Sequence, residues 1–586
     1  MIRSVMEETA PMRVAAARRV VIVSNLFPPV VIGGAEIVAH RQAKALAARG
    51  YDVAVFAGGL PEAGAEPGSL TLEMEDGFPV YRLILNSLAP AENFHCSANA
   101  ERFLSVLAAH QPELVHFHNL AGLGFNLIPT AKAFGARVVV TLHDHAGLCF
   151  KSTLLRDDGS LCDDIEECAV CLPAIDAPDG TRLPIRLRRD YTAWCLSQAD
   201  HLLSPSAYLA GALAASGVVT RPVEHLSNGI SGERVRVRPK PAPEPVAFTC
   251  FSYLGEHKGI PTLLAAAEML AGDRDLEGRW HLTIAGHGHL ADALSRDIAA
   301  GRFRGAVAFA GRLAHEQALD RLAETHVVVL ASHWPENEPV TLLEAIASGT
   351  AQIATRIGGN PDLVDEESSG VLVTPGDAAS LALAMRRYID DPELASAHGA
   401  YNAARRDRFD ESRTIERLVG LYDLLAGPET AAEAADEILV ICGGRVGSRE
   451  RALQLQVLLH RFHLVEDKVR RVRFVWQGWA DARVWREARM LWLWGEADEA
   501  ELPLVARALR ADIPVLAPRS SAQVSAAAAQ DVDPYDTLLD ALGALAALQD
   551  VPAPARSTTG RGPGAARFLN ALAPAESFQL PVRAPA

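Results

Sequence analysis

Val20-Val21-Ile22-Val23-Ser24-Asn25, running into Phe27-Pro28-Pro29-Val30-Val31-Ile32-Gly33-Gly34-Ala35-Glu36, is the stretch on which the fold turns. The first run is short, apolar and β-branched, as a strand buried on both faces must be. Prolines stop it, paired glycines follow, and a helical pattern covers 36–49. That is a βα unit. Units of the same kind recur, with strand 52–57, helix 98–110, strand 113–117, helix 124–134 and strand 136–142. Strands and helices alternating over short connections predict a parallel sheet covered on both faces.

The proline-rich stretch Pro239-Lys240-Pro241-Ala242-Pro243-Glu244-Pro245 can be neither helix interior nor central strand, so it marks a boundary. Beyond it strands are expected near 246–252, 281–285, 306–310, 326–330, 351–355 and 371–373, then helices over 377–389 and 393–425. A third, shorter series starts at Glu437 and ends near 548, and from Val551 the composition shifts to Pro, Ala, Gly and Arg. The expected organisation is therefore an N-terminal domain over 1–238 with a cysteine-containing insertion at 149–180, a second domain over 239–428, an α/β appendage over 429–550 and a tail over 551–586. The length of 586 residues suits this count at about 150 residues per domain. Phe474 to Pro518 follows the same rhythm as Phe309 to Arg356, so the appendage reads either as a degenerate repeat or as further βα units.

With 49% hydrophobic and 22% charged residues the chain forms cores, and its formal charge of −16 excludes a protein that coats nucleic acid through bulk charge. No run of 18 apolar residues occurs, the N-terminus has no apolar signal-like segment, and eight cysteines are too few for a disulfide scaffold. A cytoplasmic protein is expected, with peripheral contact at the inner face of a membrane left open.

Two halves of this type face each other across a cleft at the carboxyl ends of their strands. Gly33 and Gly34 let backbone amides approach a phosphate at a helix start, or serve a tight turn. In the second half, Glu336-Asn337-Glu338-Pro339-Val340-Thr341-Leu342-Leu343-Glu344 sets two carboxylates eight residues apart across a loop-to-helix junction. Pro339 suits the first helical position, leaving free amides there as an anion site. Lys258 follows a strand end beside Gly259, and only six of the 56 basic residues are lysine, which favours a specific charge over a solubilising one.

These residues resemble the GT-B retaining glycosyltransferases of the family 4 type. The resemblance runs over about 19–425 and rests on Pro335 to Gly349 (PENEPVTLLEAIASG) with its Glu-x7-Glu pattern, Ile357 to Val364 (IGGNPDLV), Gly370 to Val373, the Phe27-Pro28-Pro29…Gly33-Gly34 loop, Ser227-Asn228-Gly229-Ile230 and Thr141-Leu142-His143-Asp144. It implies an α/β fold with two Rossmann-like domains facing each other and a nucleotide-sugar donor, UDP- or GDP-linked, between them. It also implies transfer to a glycan or lipid-linked acceptor in bacterial polysaccharide or glycoconjugate synthesis. Gly33 and Gly34 would approach the donor phosphates, Lys258 neutralise the diphosphate, Glu344 hold the ribose and Glu336 the sugar hydroxyls. Asn337 and Glu338 would line the donor loop, and His143 contact the sugar from the opposite domain. No catalytic metal is implied. Tyr253 stands where the family commonly has an arginine, Glu338 where it has an apolar residue, and Thr350-Ala351 where it has a residue-proline pair. A binding or scaffold protein that has lost activity and a sugar-nucleotide epimerase are the alternatives.

Cys149, Cys162, Cys168 and Cys171 fall within 23 residues, and the Cys168-x2-Cys171 pair is a common half of a tetrathiolate zinc knuckle. Structural zinc, disulfides and unconnected thiols all fit the spacing. His116 and His118 share one strand face beside His143 and His145, as metal ligands or as satisfied polar residues at a strand end. Arg182, Arg186, Arg188 and Arg189 with Tyr191 and Trp194 would form one side of an amphipathic helix, either solvated or against anionic lipid. Residues 445–494 hold 11 Lys+Arg, five Asp+Glu and five of the eight tryptophans.

Overall fold

The computed structural model describes residues 18–425, except 61–65, 87, 89–95, 173, 177–181, 220 and several positions over 233–243. It also describes 437–443, 471–476, 488–493, 507–508, 513–518 and 532–535. The first half runs β1 (Arg19–Ser24), α1 (Gly34–Ala47), β2 (Asp52–Gly59), β3 (Leu70–Glu75), β4 (Phe78–Ile84), α2 (Ser97–His110), β5 (Leu114–Phe117), α3 (Leu127–Phe134) and β6 (Arg137–Thr141). The short β7 (Ala174–Asp176) and β8 (Arg182–Pro184) follow, then α4 (Ile185–Ser197), β9 (His201–Ser204), α5 (Ala207–Ser216) and β10 (Val223–His225). Its eight-stranded sheet has the order β10-β9-β6-β5-β1-β2-β4-β3 and is parallel apart from the β3–β4 hairpin. The interior of β1 is completely buried, as its apolar run demands.

The second half comprises β11 (Val246–Phe251), α6 (Ile260–Gly272), β12 (Trp280–Ala285), α7 (Ala291–Ala299), β13 (Val307–Gly311), α8 (His315–Ala323), β14 (Val327–Leu330), α9 (Val340–Ser348), β15 (Ala351–Thr355), α10 (Asn360–Leu363) and β16 (Gly370–Val373). It closes with α11 (Ala378–Asp390), α12 (Pro392–Arg405) and α13 (Glu411–Leu425). The order β13-β12-β11-β14-β15-β16, all parallel, is the doubly wound arrangement with its switch point between β11 and β14. Every strand expected from the sequence in this half is present.

Three expectations need correction. The helix expected over 393–425 is broken at 406–410, and its last part, α13, crosses back to the first half. There Leu418 and Tyr422 join the core of β1, β2 and α1, and Tyr422 Oη bonds His116 Nδ1 at 2.7 Å. In the appendage, β17 (Glu437–Gly443), β18 (Arg471–Trp476), β19 (Met490–Leu493), β20 (Val515–Pro518) and β21 (Val532–Tyr535) form a parallel sheet of order β18-β17-β19-β20-β21. There β18 occupies the place of β12, not of β13, so the proposed match of Phe474 with Phe309 fails at strand level. Trp492 is fully buried, as its strand pattern requires. The arginine-rich helix α4 does not offer a solvated or lipid-facing side at its centre, because Arg188, Tyr191 and Trp194 are all buried, with Arg188 donating to Ala146 O. The expected tail over 551–586 lies outside the described residues. Among the described residues no helix is long and apolar enough to cross a membrane.

Candidate active site

The loop after β11 and the loop after β14 lie on each other at the switch point. Gly259 makes this contact possible: it has φ +69°, and a Cβ there would fall 1.8 Å from Ala331 O. The contact brings Lys258 Nζ to 2.7 Å from Glu336 Oε1. Ser332 Oγ and Trp334 Nε1 donate to the same oxygen at 2.6 and 2.7 Å, and the Lys258 ammonium sits 4.3 Å from the Trp334 ring centroid. Burial alone would raise the Glu336 carboxyl, but Lys258 and the two neutral donors outweigh it and hold the group below the ordinary carboxylate range. With Oε1 taking three donors, Oε2 is the acceptor left for a ligand hydroxyl. Gly359 N–H donates to Glu336 O at 2.7 Å, and Gly358, at φ +59°, leaves no room for a Cβ, which would stand 2.2 Å from the same oxygen.

Helix α9 starts just beyond, with Pro339 as its N-cap, so that it begins one place later than the sequence suggests. Its first residue meets the paired-glycine loop of the other half, since a Cβ on Gly34 would lie 3.1 Å from Val340 Cγ2. Gly33 is extended, and its amide is already taken by Glu36 Oε2 at 2.8 Å. Of the two glycines, Gly34 is therefore the one whose lack of a side chain the cleft uses. Glu344 lies one helical turn into α9, and burial pushes its carboxyl up to about 7 against the pull of Arg41 from α1 across the cleft. His315 Nδ1 is 3.9 Å from Glu344 Oε1.

Asn337 and Glu338 depart from their expected role. Asn337 Nδ2 donates to Leu142 O at 3.0 Å, and its Oδ1 accepts from Ser206 Oγ. Glu338 Oε2 accepts from Asn228 N–H at 2.6 Å, and burial pushes this carboxyl up to about 7. Both side chains turn to the first half and the linker and tie the two halves together. Tyr253 is 41% exposed, its ring stacked on His257 at 5.8 Å and edge-on to His287 at 5.6 Å. His143, at the end of β6, shares a 2.8 Å bond between its Nε2 and His118 Nδ1. Sequence reasoning missed Ser332 and Trp334, although both precede Glu336 in the same strand-end loop.

The four clustered thiols are free. Cys149 is buried, and Cys162, Cys168 and Cys171 pack partly buried on the same core. Burial raises the Cys162 and Cys168 thiols, and charge on neighbouring thiols of the set raises them further. The buried Arg188 guanidinium acts on Cys149 and Cys168, a cation suited to a cluster that becomes anionic. Among the described residues the one group of ligand atoms all within 4.8 Å of one another is His40, Glu75 and Asp76. Lys44 already bonds Asp76 there, and Arg82 bonds Glu75.

Two family descriptions match adjoining parts of the chain: "Glycosyl transferase 4-like domain" over residues 33–229 and "Glycosyl transferases group 1" over 233–406. Their junction falls on the linker between the halves. The chain is a glycosyltransferase of the GT-B fold. It is 28% identical over 467 residues to a glycogen synthase of Mycobacterium tuberculosis, covering 75% of this chain and 99% of that one. A lipopolysaccharide core biosynthesis mannosyltransferase of Rhizobium leguminosarum bv. viciae is 27% identical over 273 residues, covering 42% of this chain and 73% of the relative. The solved sucrose-phosphate synthase of Thermosynechococcus elongatus superposes with a TM-score of 0.53 at 20% identity, over 70% of this chain and 99% of that one. This last likeness concerns the fold.

Proposed function

We propose that this glycosyltransferase moves a sugar, with retention of anomeric configuration, from a UDP- or GDP-linked donor to a glycan or lipid-linked acceptor in bacterial polysaccharide or glycoconjugate synthesis. The observation that carries the reading is the part-buried Lys258–Glu336 pair at the switch point, where one carboxylate oxygen is saturated and the other remains open. The names of the relatives, a glycogen synthase and a mannosyltransferase of lipopolysaccharide core, support hexosyl transfer onto a glycan.

Breaking the donor bond puts negative charge on the departing diphosphate and positive charge on the anomeric carbon. Lys258 and the first amides of α9 face the former. Glu336 Oε2 accepts from sugar hydroxyls and so fixes the sugar above the leaving group. Glu344 accepts from the ribose diol, and His143 touches the sugar from the first half. On this reading the acceptor attacks from the face the leaving group vacates, and no divalent metal takes part. The four thiols would supply the tetrathiolate ligands of a structural zinc, drawn closer than in the present arrangement, where no three of them lie within 4.8 Å of one another.

Thermal-shift screening against UDP, GDP, ADP and their sugars tests the donor, since a ligand of the folded state alone raises the melting point. One nucleotide series should stabilise the protein, and none doing so would refute the reading. Proton NMR of the first-formed product then reads the anomeric configuration.

A further inference from the structure

His143 and His118 lie side by side. The bond between His143 Nε2 and His118 Nδ1 is 2.8 Å, the ring planes differ by 19° and the centroids are 5.1 Å apart. That separation equals the bond plus one ring radius on each side, so this is an in-plane N–H···N hydrogen bond. A single proton is shared, and either ring can be its donor.

The surroundings decide between them. His118 is buried, and its other nitrogen, Nε2, has no hydrogen-bond partner. One face of its ring is covered by His116 at 4.4 Å, both of whose nitrogens are engaged, with Tyr422 Oη and with Thr141 Oγ1, each at 2.7 Å. Burial holds all three rings neutral, with His143 pushed down to about 4 and His116 to about 3. If His143 donated, a neutral His118 would carry its proton on Nε2 and bury an N–H with nothing to accept it. If His118 donates, Nε2 is an unfilled lone pair. A buried orphan donor is the rarer and costlier state.

We infer that His118 is the positioning residue of the active site: its Nδ1–H donates to His143 Nε2 and so fixes His143 as the tautomer with its proton on Nδ1. Among the described residues that nitrogen makes no hydrogen bond, and, His143 being only partly buried, it lies on the accessible side of the ring. His143 then meets the donor sugar as a hydrogen-bond donor and cannot act as a base there. The functional half of this inference rests on the sugar-contact role proposed above for His143; the tautomer does not.

The test therefore has two arms. In protein labelled with carbon-13 and nitrogen-15 histidine, ring Cδ2 and nitrogen shifts report the tautomer, and the His143 signal is the one lost in His143→Gln. The expected form carries the proton on Nδ1, and a proton on Nε2 in the wild-type protein overturns the inference without any variant. His118→Asn, which keeps a donor near the Nδ1 position, should retain that tautomer, whereas His118→Asp, able only to accept, should flip it. In the second arm, hydrolysis of UDP-glucose and GDP-mannose is followed for the same variants. His118→Asp should lose about tenfold in kcat, the equivalent of one hydrogen bond, with His118→Asn within about twofold of wild type. A flipped tautomer with unchanged turnover would overturn the functional half and the His143 contact together, while the Lys258–Glu336 site would stand.

Discussion

Glu344→Gln should make the ligand-free protein more stable and, at the same time, a poorer nucleotide binder. The carboxyl is only 15% exposed, and burial raises it from the ordinary 4.5 to about 7, with Arg41 the one partner pulling the other way. At about 1.4 kcal/mol for each tenfold change in acidity, keeping it ionised costs on the order of 3 kcal/mol, taken as an upper figure. The folded value lies above the unfolded one, so the cost is absent below about pH 4.5, grows between 4.5 and about 7, and is fully present above. The neutral amide escapes it. By differential scanning fluorimetry the variant should melt several degrees above wild type at pH 8, at roughly 2–4 °C per kcal/mol, and coincide with it near pH 4.5. The melting-point rise produced by the preferred nucleotide should shrink in parallel, through loss of a charged acceptor for the ribose. An equal gain at both pH values, or no gain at pH 8, would show that Glu344 is not a buried ionised group, and the reasoning would fail.

Glu336→Gln keeps the volume of the side chain but removes the charge that Lys258, Ser332 and Trp334 surround; transfer should fall at least a hundredfold in steady-state assays while nucleotide affinity stays within a few-fold. Gly358→Ala puts a Cβ 2.2 Å from Glu336 O at φ +59°, so it should cost about 1–3 kcal/mol in urea unfolding and lower kcat through the displaced loop. Protein purified without chelator should hold about one zinc per chain by elemental analysis, and Cys168→Ser with Cys171→Ser should abolish it; metal-free wild-type protein would leave the four cysteines as plain thiols.

The strands were legible because most are buried on both faces and carry uninterrupted apolar runs, β1 and β14 above all. The β3–β4 hairpin escaped notice. β3 is an edge strand, largely exposed, and its Leu72 and Met74 alternate with Thr71 and Glu73 in a pattern that a loop can also show. The contact of Glu336 with Lys258 needs only two strand-end loops of one half, whereas the surroundings of Glu344, with His315 on its own half and Arg41 from the other, come from the packing of separate elements. The partners of Asn337 and Glu338 were not legible, because Leu142, Ser206 and Asn228 lie over a hundred positions away in the chain. Arg188 misled for the opposite reason: neighbouring arginines at 186 and 189 suggest a wet stripe, and only the packing of α4 on the segment after β6 shows that one guanidinium turns inward.

The return of α13 to the first half sets a schedule for synthesis. His116 and Tyr422 are 306 residues apart, and at about 5–20 residues per second the ribosome needs on the order of half a minute to deliver the second after the first. Throughout that interval the groove that receives Leu418 and Tyr422 beside β1, β2 and α1 has no occupant. A nascent first half is therefore a sticky intermediate, in need of cover by a chaperone or by the emerging second half. A chain cut at Arg406, where the second family match ends, should share that fate permanently and precipitate, although both matched regions would be whole.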